Sequence, residues 1–325
     1  MLVDVELTPL RAIQWLYYEL DSAATIVPSS SLLGPETTAQ YNTEGVIDMS
    51  DAQQAAVVVA LRQLGYHLSV TPSGALLYAL LPGSPAEASL LVGDVVTSVD
   101  GTPVRTALDL GDALAGRHPG ETVSLGLRSY PHAHQELVTL RLGEWHWGAG
   151  QTLDCVPTSR HTTEPVALLV EREGEIGLPG KNEKGRPVAC LGVLDVETAW
   201  RTGHLPLGVD LSSEGIVGPS AGLAFTLGLI EKLDRGDLTG GHLVAATGTM
   251  SITGQVGAIG GIQQKTIAVR NAGGYLFLVP PANYATAKQY AGSSLKVFAV
   301  STIGQAISVL ERYGGRLLAP APGSP

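Results

Sequence analysis

The run Gly218-Pro219-Ser220-Ala221-Gly222, followed at once by the apolar stretch Leu223-Ala224-Phe225-Thr226-Leu227-Gly228-Leu229-Ile230, decides how this chain reads. A proline ahead of such a stretch opens a helix, because its fixed φ suits the first turn and its missing N–H is not needed there. Small residues on both sides of Ser220 let another backbone come close to its hydroxyl. As a bare pattern the five residues satisfy G-x-S-x-G, the turn that exposes a nucleophilic serine. That pattern demands an acid and then a histidine on separate later strands. After Ser220 the sequence offers His242, Asp234 and Asp237, all inside one connection directly behind the serine. A Ser-His-Asp triad is therefore excluded, and the bland reading of the run is a small-residue helix cap.

A serine hydroxyl is a weak nucleophile and needs a base, for which lysine remains. Lys232 lies in the charged helix end Glu231-Lys232-Leu233-Asp234-Arg235, and Lys288 and Lys296 lie in polar stretches. Lys265 differs. It falls in Gly257-Ala258-Ile259-Gly260-Gly261-Ile262-Gln263-Gln264-Lys265-Thr266-Ile267, the first turn of a helix flanked by apolar residues. Burial and a helix N-terminus both disfavour the ammonium form, so a neutral amine there could take the serine proton. Backbone N–H groups beside the serine, at Gly218 and Ala221, are the expected donors to an oxyanion. Thr247, Thr249 and Thr266 are candidates to orient the lysine.

Working outward, only 15% of the 325 residues are charged, against about 25% in a typical soluble domain. A chain so apolar must fold, and its length suggests two domains. A net charge of −10 without a basic block removes the electrostatic drive for nucleic-acid binding and for anionic lipid. Two cysteines, Cys155 and Cys190, make neither a disulfide framework nor a four-ligand zinc site; a single bridge stays open. No metal or cofactor is expected. There is no apolar run long enough to span a membrane, and Met1-Leu2-Val3-Asp4-Val5-Glu6-Leu7 alternates like a strand, with no basic leader ahead of it.

Residues 1–65 read as an N-terminal segment with a helix over Leu10–Leu20, a loop over Pro28–Gly45, and a helix capped by Ser50 with Gln53 and stopped at Gly65. Residues 66–143 have the texture of a small β domain, with the turns Pro82-Gly83-Ser84-Pro85 and Asp100-Gly101. Residues 144–164 read as a linker or insertion, 165–315 as a second domain, and 316–325 as a disordered tail. In the second domain, helices from Pro219, Ile262, Pro281 and Thr302 (capped by Ser301) alternate with strands His242–Ser251, Tyr275–Val279 and Leu295–Val300.

The ordered run Gly83-Ser84-Pro85-Ala86, Gly93-Asp94-Val95-Val96, Asp100-Gly101-Thr102-Pro103 resembles the circularly permuted bacterial PDZ domain over roughly Tyr66 to Leu142. The resemblance implies capture of an extended peptide by strand addition, with Gly65, Tyr66, His67 and Leu68 as the carboxylate-facing loop. Such a module can also serve as a spacer. Gly218–Gly222, Ala246-Thr247-Gly248-Thr249-Met250, Gly254–Lys265 and Ala272-Gly273-Gly274 together look like the Lon proteolytic domain, over roughly Val188 to Leu310. That resemblance implies an α+β fold and a catalytic pair of Ser220 as nucleophile and Lys265 as general base. Val217 and Thr249 stand where several Lon enzymes carry acids, which leaves room for a latent domain in a peptide-binding scaffold protein. No G-x-x-x-x-G-K-[ST] phosphate loop is present, so ATP is not an expected ligand.

The whole is a multidomain α+β chain, with a PDZ domain followed by a Lon-type proteolytic domain. It resembles bacterial PDZ-containing Lon-like serine peptidases of the YlbL type. The implied activity is ATP-independent cleavage of extended or unfolded polypeptide substrates. The implied setting is extracytoplasmic, with a membrane anchor that would end where Met1 begins. Lon proteolytic domains commonly form rings, so a homo-oligomer is among the implied partners.

Overall fold

The computed structural model describes residues 24–29, 33, 37–129, 134–147, 153–156, 171–172, 175–176, 188–206, 208–209, 211, 216–234 and 236–318. The helix expected over Leu10–Leu20 and the tail from Pro320 lie outside these. The chain divides into two compact units. One comprises Ser29–Glu44 and Val70–Thr202; the other comprises Met1–Pro28, Gly45–Ser69 and Gly203–Pro325.

The long helix α1 (Thr38–Gln63) corrects the expectation of a loop to Gly45 and a cap at Ser50. Its start is the reciprocal capping box of Thr37 and Gln40. The Thr37 hydroxyl accepts from the Gln40 N–H at 3.2 Å, and Gln40 Oε1 accepts from the Thr37 N–H at 3.0 Å. Ser50-Asp51-Ala52-Gln53 is a second copy of the same motif, and it lies inside the helix because the upstream copy had already begun it. Over Ala55–Leu61 every residue is buried, as befits a helix apolar all round.

The first unit is built on an antiparallel sheet. Its strands are β1 (Val70–Leu80), β2 (Val95–Val99), β3 (Thr102–Pro103), β4 (Thr122–Arg128), β5 (Gln135–Arg141) and, much later in the chain, β11 (Val193–Thr202). The order is β11-β1-β2-β4-β5, with β3 paired to β2. Asp100 (φ 48°) and Gly101 (φ 79°) form the β2–β3 turn, both in the left-handed region that a two-residue hairpin of type I′ requires. Helix α2 (Ala107–Leu114) is capped by Thr106 with Asp109. The Arg105 N–H, ahead of the Thr106 groups, holds the Asp109 carboxyl below its ordinary range.

Two boundaries differ from expectation. Residues read as a linker form β6 (Gly143–Trp147) and β7 (Leu153–Val156), which join β10 (Val188–Cys190) in a three-stranded sheet of order β10-β6-β7. Cys155 and Cys190 are disulfide-bonded across it, 35 residues apart in sequence. The stretch showed no periodicity because strands of four and five residues are too short to display one. β11 also belongs here rather than to the second unit, pairing with β1 from Val70↔Thr202 to Leu80↔Val193. A minor hairpin joins β8 (Glu171–Arg172) to β9 (Glu175–Ile176).

In the second unit, helix α3 (Gly222–Leu233) follows a 3₁₀ turn over Pro219–Ala221. Strand β12 (Val244–Ala246) lies parallel to β15 (Leu276–Val279), which lies parallel to β16 (Lys296–Ala299). The strand expected over His242–Ser251 breaks after Ala246 and resumes as β13 (Thr249–Met250), paired with β14 (Val256–Gly257). Helices α4 (Ile262–Asn271), α5 (Pro281–Tyr290) and α6 (Ile303–Arg312) complete the layers. The cap of α6 is Thr302, whose hydroxyl accepts from the Gln305 N–H, not Ser301. Leu61, Leu223, Ile230, Leu276 and Leu278 anchor one core, and Phe277 and Val269 a second on the other face of the sheet.

Closing a loop of this length by a disulfide is worth about 3–4 kcal/mol through the unfolded state. Urea unfolding of the double variant Cys155→Ala/Cys190→Ala should show the first unit weakened by about that amount, with the second unit's transition unmoved.

Candidate active site

Ser220 sits in the 3₁₀ turn, half-buried, and Lys265 lies in the first turn of α4 with 3% of its surface exposed. The two meet: Lys265 Nζ is 2.6 Å from Ser220 Oγ. Each side of the contact is fixed through backbone. On the serine side, the Ser220 carbonyl accepts from the Gly248 N–H at 3.0 Å and from the Thr247 hydroxyl at 3.0 Å. The Gly248 carbonyl in turn accepts from the Leu223 N–H at 3.1 Å. The Thr247 N–H still donates to the Leu278 carbonyl of β15 at 3.0 Å, and the ladder is left at Gly248, whose N–H and carbonyl both serve the serine turn.

On the lysine side, α4 opens at Gly261, whose φ of 66° is the left-handed conformation glycine adopts without penalty. The preceding loop is clamped by Asn283 of α5. Its Oδ1 accepts from the Ile259 N–H and its Nδ2 donates to the Ile259 carbonyl, both at 2.9 Å. Lys265 therefore enters from a rigid turn rather than a mobile loop.

The other expected residues are placed as follows. Thr247, 1% exposed, acts on the serine turn rather than on the lysine. The Thr266 hydroxyl donates to Ile262 O at 2.7 Å within its own helix, and Thr249 stands opposite Gly257 across β13–β14. Ala221 is buried behind the serine. The Gly218 N–H, expected to face an oxyanion, instead donates to the Gly45 carbonyl of α1 at 2.7 Å. An amide already bonded at that length has no proton to offer a substrate, so Gly218 is removed from the oxyanion set as the site stands.

Gly65, Tyr66, His67 and Leu68 are not a carboxylate loop of the β unit. Gly65 (φ 87°) ends α1, with its N–H bonded to Arg62 O and the Tyr66 N–H bonded to Leu61 O, which is a Schellman cap. Tyr66 and Leu68 then pack against the core of the second unit. Among the described residues β11 and β5 are the two edge strands of the β unit's sheet. Helix α2 begins beside β11, where the Ala107 N–H donates to Thr198 Oγ1 at 3.1 Å. The turn leading into β11 is Leu191-Gly192. It is fastened by the Leu81 N–H to Gly192 O at 2.8 Å and by the Ala86 N–H to Leu191 O at 3.0 Å. Gly192 has φ of 89°, and an added Cβ would fall 2.2 Å from Ser84 Cβ. The sequence signal for this turn was a glycine ahead of the alternation Val193-Leu194-Asp195-Val196. It was missed because it lies far along the chain from the other strands of its sheet.

The C-terminal proteolytic domain of Lon protease (S16) matches residues 204–312, and the PDZ domain family matches residues 77–129. The Lon protease of Treponema pallidum (strain Nichols) is 39% identical over 80 residues, which cover 25% of this chain and 8% of that protein. The Lon protease of Clostridium acetobutylicum is 39% identical over 66 residues, covering 20% of this chain and 8% of that one. A probable periplasmic serine endoprotease, DegP-like, of Bartonella henselae is 29% identical over 116 residues, covering 33% of this chain and 23% of the relative. The chain thus spans less than a quarter of the length of these curated relatives. The solved PDZ domain of an SdrC-like protein from Listeria monocytogenes is 21% identical and covers 26% of this chain and 85% of that one, with a TM-score of 0.22. This chain carries a PDZ domain and, after it, a Lon-type proteolytic domain.

The serine turn depends on one close approach. A Cβ on Gly222 would lie 2.7 Å from the Met250 N and 2.8 Å from its Cβ, where backbone must yield. Gly222→Ala is expected to cost about 1–3 kcal/mol by overpacking. It should also lengthen the Ser220–Lys265 contact, which thermal melts and a crystal structure of the variant would read together.

Proposed function

We propose that this chain is an ATP-independent serine endopeptidase that cleaves extended or unfolded polypeptide with Ser220 and Lys265. The observation that carries the reading is the 2.6 Å contact between Lys265 Nζ and Ser220 Oγ, with the lysine almost wholly buried. A neutral Lys265 amine takes the hydroxyl proton as Oγ bonds to the scissile carbonyl carbon and its π electrons move onto oxygen. When the tetrahedral intermediate collapses, the C–N bond breaks and the resulting ammonium returns the proton to the leaving amine. Water, deprotonated by the same amine, then displaces Ser220 from the acyl-enzyme. A charge-free base in a buried site suits this cycle, because a permanently protonated lysine could only donate.

The edge position of β11, with α2 beside it and the Leu191-Gly192 turn at its head, supports substrate capture by strand addition. Backbone groups of an extended chain would continue the sheet, and the turn would receive the peptide terminus. The disulfide supports an extracytoplasmic setting, where such bonds persist. Among the described residues no helix is long and apolar enough to cross a membrane, so a membrane anchor rests on the resemblance alone.

One observation favours the second reading, a latent domain in a peptide-binding protein: the Gly218 N–H is engaged by Gly45 instead of facing a substrate. Turnover separates the two. With an unfolded casein substrate, Lys265→Ala should lose about 10²–10⁴-fold in rate, the usual yield of a general base, and Ser220→Ala at least as much. Equal turnover by wild type and Ser220→Ala would overturn the enzyme reading. The pH profile has a definite sign as well. Only the deprotonated amine is competent, so kcat/KM should rise with pH through the Lys265 ionisation. Lys265→Arg, which stays protonated, should be inactive throughout.

A further inference from the structure

A glycine in the interior of a long helix is unfavourable, since alanine holds the helical backbone better there. Gly45 occupies such a place in α1, two turns past the helix start. Its surroundings give a reason. An added Cβ would meet Val217 Cγ2 at 3.3 Å and Val217 Cβ at 3.4 Å, with the Gly218 N at 3.8 Å, and its carbonyl accepts the Gly218 N–H at 2.7 Å. Eight residues on, along the same i, i+4, i+8 row, Gln53 Nε2 donates to the Leu211 carbonyl at 2.9 Å. One helix row therefore grips the segment entering the nucleophile turn at Leu211 and again at Gly218, the latter only two residues before Ser220.

We propose that Gly45 is a positioning residue for the nucleophile: its missing side chain lets α1 approach Val217-Gly218 closely enough to set Ser220 Oγ against Lys265. This rests on the assignment of Ser220 and Lys265 as the reacting pair. Gly218 itself has φ of 90°, so the turn is already in a conformation few residues adopt and has little freedom to absorb a push from Gly45. A displacement near 1 Å at the reacting atoms is worth about 10²-fold in rate. The demands of the helix and of the site thus oppose one another at this position.

That opposition makes the test clean. In the full chain, Gly45→Ala should melt at the wild-type temperature or higher, because the helix gains. Its kcat on a peptide substrate should fall about 10-fold with KM within twofold, and Gly45→Val should fall about 100-fold. The rising limb of the pH profile should move in both, since the Ser220–Lys265 contact is altered. Removing the side chain that the new Cβ meets, in Gly45→Ala/Val217→Ala, should restore most of the rate. Hydrogen exchange at the Gly218 amide reads the same grip without turnover and should quicken at least tenfold in Gly45→Val. Wild-type kcat in Gly45→Ala, or a rate loss that tracks a lowered melting temperature, overturns the proposal. If wild type and Ser220→Ala show equal turnover while the exchange result holds, the peptidase reading fails and the grip on the turn stands.

Discussion

The site depends on keeping a lysine amine buried against a serine hydroxyl at 2.6 Å. Taking an ammonium out of water is costly, and a neutral amine in the same place gains little from electrostatics. Backbone on either side fixes where the two side chains meet. Both sides of this site are built that way. The serine turn is fixed through its own carbonyl by the 247–248 peptide, and the lysine helix is fixed by the two-bonded Asn283 clamp on Ile259.

The same constraint explains where the regular structure gives way. Strand β12 leaves its sheet after Ala246, though Thr247–Met250 could have extended the ladder by sequence. The Thr247 N–H keeps its bond to the Leu278 carbonyl while its hydroxyl, together with the Gly248 N–H, goes to Ser220 O, so the ladder ends at Gly248. Gly222 then has to lack a side chain because the returning strand passes within contact of its Cα. A break in a strand, a short 3₁₀ turn and a bare helix position are consequences of one docking.

Much of this was legible in the sequence, for physical reasons that differ from place to place. The serine and lysine could be selected by elimination, because charge and burial leave few residues able to act as a base. The C-terminal helices and parallel strands were readable because their apolar periodicity is long enough to show. The capping box was read at Ser50 and Gln53 when the working copy was Thr37 and Gln40. A local motif states that a helix can start there, and only the first usable copy decides where it does. The peptide-loop role of His67 and its neighbours rests on the PDZ resemblance alone, whereas Gly65 reads from the sequence as the stop of a helix, which is what it is. The Tyr66 and Leu68 side chains, packed on the core, settle the matter, and packing is not written locally.

Chain order misled most at β11. Its partner β1 starts at Val70, so the two strands lie more than a hundred residues apart along the chain, and the pairing is invisible to any window of sequence. Once paired, β11 becomes an edge of the sheet, while the strand nearest the expected peptide loop has partners on both sides. An edge strand presents N–H and C=O groups that an interior strand has already paired, so the pairing with β11 and β2 takes β1 out of the candidates for strand addition. The disulfide gains its place in the same way. Cys190 ends β10, the short strand that leads into this turn, and its bond to Cys155 of β7 lies within the three-stranded sheet that β10 and β7 share. For the proposed capture of a peptide on β11, an edge ordered beforehand is the better one, because any ordering done on binding is subtracted from affinity.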